Sequence, residues 1–326
     1  MNNHFSRRDF IKSAPLLPLC AGSVVLGASS AKARGPIKRI GPPEFKLSLN
    51  AYSFAKLLNG PLLGRGAGIG LMDLLDFCAQ NGFEAIDPTG YYFPGYGSVR
   101  VGNNGVPTDD YIRKFKRRAF ELGIAISGTG VANDLATPDK AKRAVFVKHI
   151  QDWVEVAAKL GAPVLRVFSG PVPSGYEDKW DEVAAWMVED LKKCVEHAEK
   201  FGIIIGIQNH GDMLKSADRV IKIINMVDSP WFGAINDTGS YMTPDPYADM
   251  ARVVPYTVNW QVKQRLGGKE GDAPMDLKKL IHLMKAGGYR GYVPIESLSQ
   301  PGKAYDPFTL VPQFLKEVRQ AIADTA

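Results

Sequence analysis

Residues 205–213 read IGIQNHGDM, an apolar run that ends on three polar side chains, Gln208, Asn209 and His210. The same form recurs along the chain. FGAIND at 232–237 ends on Asn236 and Asp237, TVNWQVK at 257–263 carries Asn259, Gln261 and Lys263, and GYVPIES at 291–297 carries Glu296. Earlier runs bring Asn50, Tyr52 and Ser53 (KLSLNAYS, 46–53), Asp87 (FEAID, 83–87), and Arg166 and Ser169 (PVLRVFS, 163–169). A single Asp or Asn after an apolar run is ordinarily a helix cap or a turn former, and a lone Lys or Arg is a surface charge. The repetition is what points to chemistry. Two carboxylates, Asp237 and Glu296, with the amide oxygens of Gln208 and Gln261, form an all-oxygen donor set of the kind that suits a hard divalent ion such as Mg²⁺ or Mn²⁺. Among the histidines, His149, His197 and His282 fall inside helical patterns, whereas His210 stands at a strand end. His210 is therefore the candidate for proton transfer near neutral pH, its alternative role being to orient a neighbour.

These residues need a scaffold that brings the ends of many apolar runs together. From residue 46 onward, short runs rich in β-branched residues alternate with amphipathic stretches of helical period. The strand candidates are 46–53, 83–87, 124–130, 163–169, 203–208, 232–237, 257–263 and 291–297. Helical stretches include 138–160, 177–200, 215–227, 275–286 and one near 307–323. Eight strand–helix units are those of an α/β (β/α)8 TIM barrel in a single domain spanning 46–326, and the chemistry of such a barrel sits at the C-terminal ends of its strands. A doubly wound sheet is the alternative, but no GxGxxG follows the first strand.

The first 33 residues read as an address. Arg7 and Arg8 precede Phe10, an apolar run spans Ala14 to Ala28, and AKA at 31–33 is a small-x-small cleavage pattern ending at Ala33. This resembles a twin-arginine signal peptide and implies a bacterial protein that is periplasmic or exported. The run is short for a membrane span, so no stable span remains once the signal is removed. Residues 34–45 read as an N-terminal extension. The formal charge is +6, of which the signal contributes three (Arg7, Arg8, Lys12 and Lys32 against Asp9), leaving about +3 with both signs interspersed. No basic stripe marks a nucleic-acid partner. Cys78 and Cys194 lie in helical patterns and form neither a disulfide framework nor a CxxC zinc site.

Over about residues 45–320 the chain resembles the sugar phosphate isomerase/epimerase superfamily, the xylose isomerase-like TIM barrels. Their pattern places a Glu at the end of strand 5, an Asp in D-x-x-H after strand 6, a His in H-x-H or H-x-K on strand 7, and a Glu at the end of strand 8; these four hold a divalent metal. Asp237 in NDTGSY and Glu296 in VPIES match two of them. Gln208 stands in place of the first Glu, followed by the expected Asn209 and His210. Gln261 stands in place of the ligand His with Lys263 retained, and Ser240 in place of the His of D-x-x-H. A glutamine coordinates through oxygen but carries no charge and takes no proton, so a relay between two glutamates is lost.

The resemblance implies an enzyme acting on a small carbohydrate, a sugar or an oxidised glycoside. The reaction expected is divalent-metal-assisted proton abstraction next to a carbonyl, as in isomerases, epimerases and eliminating lyases. Asp237, Glu296, Gln208 and Gln261 are the expected metal shell. His210, Glu296 and Lys263 are the expected catalytic groups, and Arg166, Tyr52, Asn209 and Trp260 the expected substrate contacts. The alternative is a barrel that keeps a sugar pocket lined by Tyr52, Tyr91, Tyr92, Tyr241 and Trp260 but has lost metal and chemistry. A nuclease of the endonuclease IV type would need a histidine-rich multi-metal site, which one strand-end histidine does not supply.

Overall fold

The computed structural model describes residues 35–62, 66–97, 105–267, 273–299, 302 and 304–325. The signal-peptide segment expected at 1–33 lies outside the described residues. Eight parallel strands form the barrel: β1 (Glu44–Asn50), β2 (Ala85–Asp87), β3, β4 (Val164–Phe168), β5 (Ile204–Gln208), β6 (Phe232–Asp237), β7 (Thr257–Lys263) and β8 (Arg290–Glu296). The third strand is broken into Ala125–Ile126, which pairs with β2, and Thr129–Gly130, which pairs with β4. β1 pairs with both β2 and β8, and β8 continues through β7, β6 and β5 to β4. The two ends of the sheet are thus the two pieces of one strand, and the barrel returns on itself. The eight predicted strand positions are all occupied, most with ends shifted by one to three residues.

Helices α1 (Ala55–Leu62), α2 (Leu71–Gln80), α3 (Asp109–Glu121), α4 (Lys140–Leu160), α5 (Trp180–Lys200), α6 (Ala217–Val227), α7 (Pro246–Val253), α8 (Leu277–Ala286) and α9 (Pro307–Asp324) surround the sheet. Their starts follow from side-chain capping of orphan N–H groups: Asp139 accepts from Ala141 and Lys142, Ser216 from Arg219, Asp276 from Lys279 and Asp306 from Phe308. α4 stops at Gly161, whose φ of 81° is the left-handed cap that glycine adopts without a Cβ clash. Along α4, Phe146, Val147, Ile150, Trp153, Val154 and Ala157 are buried, the i, i+3, i+4 stripe of a helix facing a core. β6 is buried at every position, as a parallel strand with both faces covered requires. Within the segment expected as an extension, 34–45, Ile37 donates its N–H to Pro255 O at 2.8 Å, and Arg39 donates to Thr257 O at 2.5 Å; the first acceptor lies in the turn before β7 and the second is the first residue of β7.

Strand register sets the site. In parallel pairs, Phe168 lies level with Gln208, Asp237 with Gln261, and Lys263 with Glu296. Between β6 and β7 the register shifts at Ala234/Ile235, which pair with Thr257 and Asn259 and pass over Val258. A slip of one residue would turn every side chain to the other face; the irregularity instead brings Gln261 level with Asp237.

Cys78 and Cys194 are free and buried, and burial pushes both thiols up. His149, on α4, is fully buried against Tyr96 and Trp153, and its Nδ1 has no hydrogen-bond partner. Desolvation pushes its pKa down to about 4, opposed by the charge of Asp152. The unfolded chain therefore binds a proton on His149 that the folded chain does not bind between pH 6.5 and 4. Stability from this group is present above pH 6.5 and lost as pH falls through that window. Denaturant unfolding from pH 7 to 4 is expected to show this fall, and His149→Leu is expected to flatten the slope there.

Candidate functional site

The strand ends open on a cavity of about 620 Å³. Its floor carries Gln208, Gln261, Lys263 and Glu296, and its walls carry Arg166, Phe168, His210, Tyr52, Tyr91 and Asn50. Alternation along β7 explains the sorting. Gln261 and Lys263 share the inward face, while Trp260, the residue before Gln261, points outward and packs on Tyr289 with ring centroids 5.8 Å apart. The structure therefore places Trp260, expected as a substrate contact, in the hydrophobic core. Asn209, also expected there, is buried and spent on backbone. Its Nδ2 donates to Asp237 O at 3.0 Å and its Oδ1 accepts from Asp237 N at 2.7 Å, which clamps the end of β5 to the end of β6. Tyr241 is likewise buried, donating its hydroxyl to Asn236.

The four residues expected as a metal shell do converge, as partners of one another. Asp237 Oδ2 accepts from Gln208 Nε2 at 2.6 Å, Lys263 Nζ at 2.8 Å and Ser240 Oγ at 2.8 Å, while Oδ1 accepts from Gly239 N at 2.9 Å. Glu296 Oε2 accepts from Gln261 Nε2 at 2.6 Å and lies 3.5 Å from Lys263 Nζ. The stem of Lys263 runs over Gly239, where a Cβ would stand 2.6 Å from Lys263 Cδ. Lys263 N donates to Thr238 Oγ1 at 2.9 Å, which stitches the loop after β6 to β7.

This arrangement does not fit a divalent ion. Asp237 Oδ2 is taken by three protein donors and Oδ1 by a fourth, and the Lys263 ammonium stands within 2.8 Å of Asp237 and 3.5 Å of Glu296. Both glutamines turn their NH₂ groups, not their oxygens, toward the carboxylates. Among the described residues no group of three or more His, Cys, Asp or Glu comes together to hold a metal. The glutamines, read from the sequence as oxygen ligands, act here as donors because an acidic neighbour is best met by N–H.

Burial alone would raise the Asp237 carboxyl; the charge and hydrogen bond of Lys263, with those of Ser240 and Gly239, outweigh it and hold the group below its usual range. For Glu296 burial wins over Lys263, and its carboxyl lies above the usual range. Burial works against the Lys263 ammonium too, but Asp237 and Glu296 overcome it and raise its pKa well above the usual value, so it is charged. His210 is exposed and lies against Phe168, the ring centroids 5.0 Å apart and the planes tilted by 56°. Desolvation by that wall pushes its pKa down, against the charge of Asp237 and with that of Lys263 and Arg166, which favours the neutral imidazole.

Arg166 is held on three sides. Its guanidinium carbon lies 4.2 Å from the Phe168 ring centre, Nη1 donates to Tyr91 Oη at 2.6 Å and Val131 O at 2.8 Å, and its other face lies on Gly130. Asp87, buried nearby, supplies a compensating charge. Phe168 was not expected as a site residue, and Tyr91 was expected only as a pocket aromatic of the binding alternative; both line the cavity. Phe168 sits two positions after Arg166 on one strand, so period-two alternation carries the signal for it; for Tyr91, on the loop after β2, the aromatic type alone carried the pocket expectation, and its bond to Arg166 had no signal.

Residues 75–317 match the family described as the xylose isomerase-like TIM barrel. The chain belongs to that family. It is 24% identical over 156 residues to the C-glycoside deglycosidase alpha subunit of Arthrobacter globiformis, covering 46% of this chain and 38% of that one. Among solved structures it superimposes on a D-psicose 3-epimerase from Clostridium cellulolyticum H10 (TM-score 0.68, 14% identity, 85% of this chain and 99% of that one). It also superimposes on 3-keto-D-glucoside 4-epimerase from E. coli (TM-score 0.63, 14% identity, 85% and 100%). At such identities the likeness is one of fold.

Two substitutions test this family member's site. Lys263→Met leaves two buried carboxylates unbalanced and is expected to cost about 3–5 kcal/mol in denaturant unfolding. Gly130→Ala puts a Cβ 2.6 Å from the Arg166 guanidinium carbon. It is expected to cost about 1–3 kcal/mol, whereas Gly35→Ala, whose added Cβ meets nothing within 4 Å, leaves the Arg166 contacts and the stability unchanged.

Proposed function

We propose that this protein removes a proton from the carbon next to a carbonyl of a sugar or oxidised glycoside, as an isomerase, epimerase or eliminating lyase, after export by the twin-arginine route. The observation that carries the reading is that His210 and a Lys263 ammonium fixed by Asp237 and Glu296 line one cavity. His210 takes the proton. The C–H electron pair moves into a carbon–carbon double bond, and the carbonyl oxygen becomes an enolate oxygen held by Lys263. Return of the proton to the other face or the neighbouring carbon, or loss of a β-substituent, completes the reaction. Preorganised positive charge at a developing oxyanion is worth several kcal/mol. Glu296, above its usual range, serves as a second proton carrier. No step passes through a metal.

Substrate selection falls to the walls. Gln208 Oε1 is buried without a hydrogen-bond partner and is placed to accept from a sugar hydroxyl. Arg166 and Tyr91 offer donors, and Tyr52 at the rim offers an aromatic face. The sugar-epimerase neighbours and the deglycosidase relative support a carbohydrate substrate, and the Arg7–Arg8 signal supports export.

A second reading, a binding barrel without turnover, is favoured by the saturation of Asp237. Deuterium exchange in D₂O separates the two. Ketohexoses and 3-keto-glucosides are incubated with the protein, and label at the carbon beside the carbonyl is followed by NMR. The proposal expects exchange, lowered by about 10²–10⁴ in His210→Asn. Saturable ligand binding with no exchange across the panel would assign the protein to the binding reading.

A further inference from the structure

The cluster of Asp237, Glu296, Lys263, Gln208 and Gln261 has a charge logic of its own. Two carboxylates face one ammonium, which lies 2.8 Å from Asp237 Oδ2 and 3.5 Å from Glu296 Oε2. A cation that bridged both carboxylates would have to stand where Nζ stands, because a hard divalent ion binds oxygens at about 2.0–2.6 Å and would be driven into contact with a second positive charge. The carboxylates are further bonded by four neutral donors, Gln208 Nε2, Gln261 Nε2, Ser240 Oγ and Gly239 N. Each glutamine is therefore required as an amide. A carboxylate at either position would be a third anion around one ammonium, with no proton to share.

The backbone is shaped to this ammonium as well. Gly239 lets the lysine stem pass where a Cβ would stand 2.6 Å away, and Thr238 fixes the lysine's own N–H. The side chain is 13% exposed and both carboxylates lie deeper. We infer that Lys263 is the resident cation of this barrel, standing in the place and role of a divalent ion, so that the site is complete without metal. The inference goes beyond the reaction proposed above and does not depend on turnover.

The test uses Mn²⁺ alone and the full chain. The melting temperature of the unmodified protein is measured after EDTA treatment and again with excess Mn²⁺. No change is expected in either case. A rise with Mn²⁺, or a fall on chelation, overturns the inference. The conversion variant combines Lys263→Met, which removes the ammonium, with Gln208→Glu, which supplies a third carboxylate oxygen donor. It is expected to melt below the parent without metal and to rise by about 5 °C with saturating Mn²⁺. A folded conversion variant indifferent to Mn²⁺ contradicts the inference, because the vacated place would then not be that of a cation. Should that variant not fold, the parent's response to chelation and Mn²⁺ decides alone. Neither arm reads turnover, so an inactive protein with the expected melting behaviour would overturn the proposed reaction and leave this inference standing.

Discussion

The ammonium of Lys263 between Asp237 and Glu296 is the interaction on which the rest of the site depends. Two carboxylates buried in one barrel mouth repel each other and resist desolvation; neither can be ionised there without a positive charge in contact. Once Lys263 supplies that charge, the remaining identities follow. Gln208 and Gln261 are amides because the carboxylates still need donors. Ser240 is a hydroxyl for the same reason, and Gly239 lacks a side chain because the lysine stem crosses it.

The scaffold delivers these groups through register and not through loop shape. Asp237 is level with Gln261 and Lys263 with Glu296 because β6, β7 and β8 are hydrogen-bonded at those positions. Asn209 locks the ends of β5 and β6 together by bonding both backbone groups of Asp237. The other wall is built independently, around an Arg166 pinned by Phe168, Tyr91 and Gly130. The cavity thus has an ionic floor and a separate cationic wall, with His210 on that wall, its ring tilted against Phe168. Such an arrangement fixes where charge can develop in a bound molecule, the condition that electrostatic stabilisation requires.

Much of this was legible in the residues. The alternation of β-branched runs and amphipathic stretches carried the barrel, and polar residues at the ends of the later runs marked the mouth. Position along a strand also told that Gln208, Asp237, Gln261, Lys263 and Glu296 would meet. What it did not tell was who bonds to whom. An amide has an oxygen end and a nitrogen end, and only the neighbouring carboxylates decide which is turned inward; reading Gln208 and Gln261 as metal ligands assumed the oxygen. Trp260 was misplaced because neighbours on a strand were taken together although alternation separates them. Asn209 was misplaced because a polar residue at a strand end can serve the backbone as well as a ligand.

The central claim is that a lysine nitrogen, and no metal ion, stands between Asp237 and Glu296. Crystals grown with excess Mn²⁺ and measured at the manganese absorption edge test it directly. The account predicts no anomalous peak between the two carboxylates and Lys263 Nζ still bonded to Asp237. An anomalous peak at that place, with Lys263 displaced toward the cavity, would contradict it.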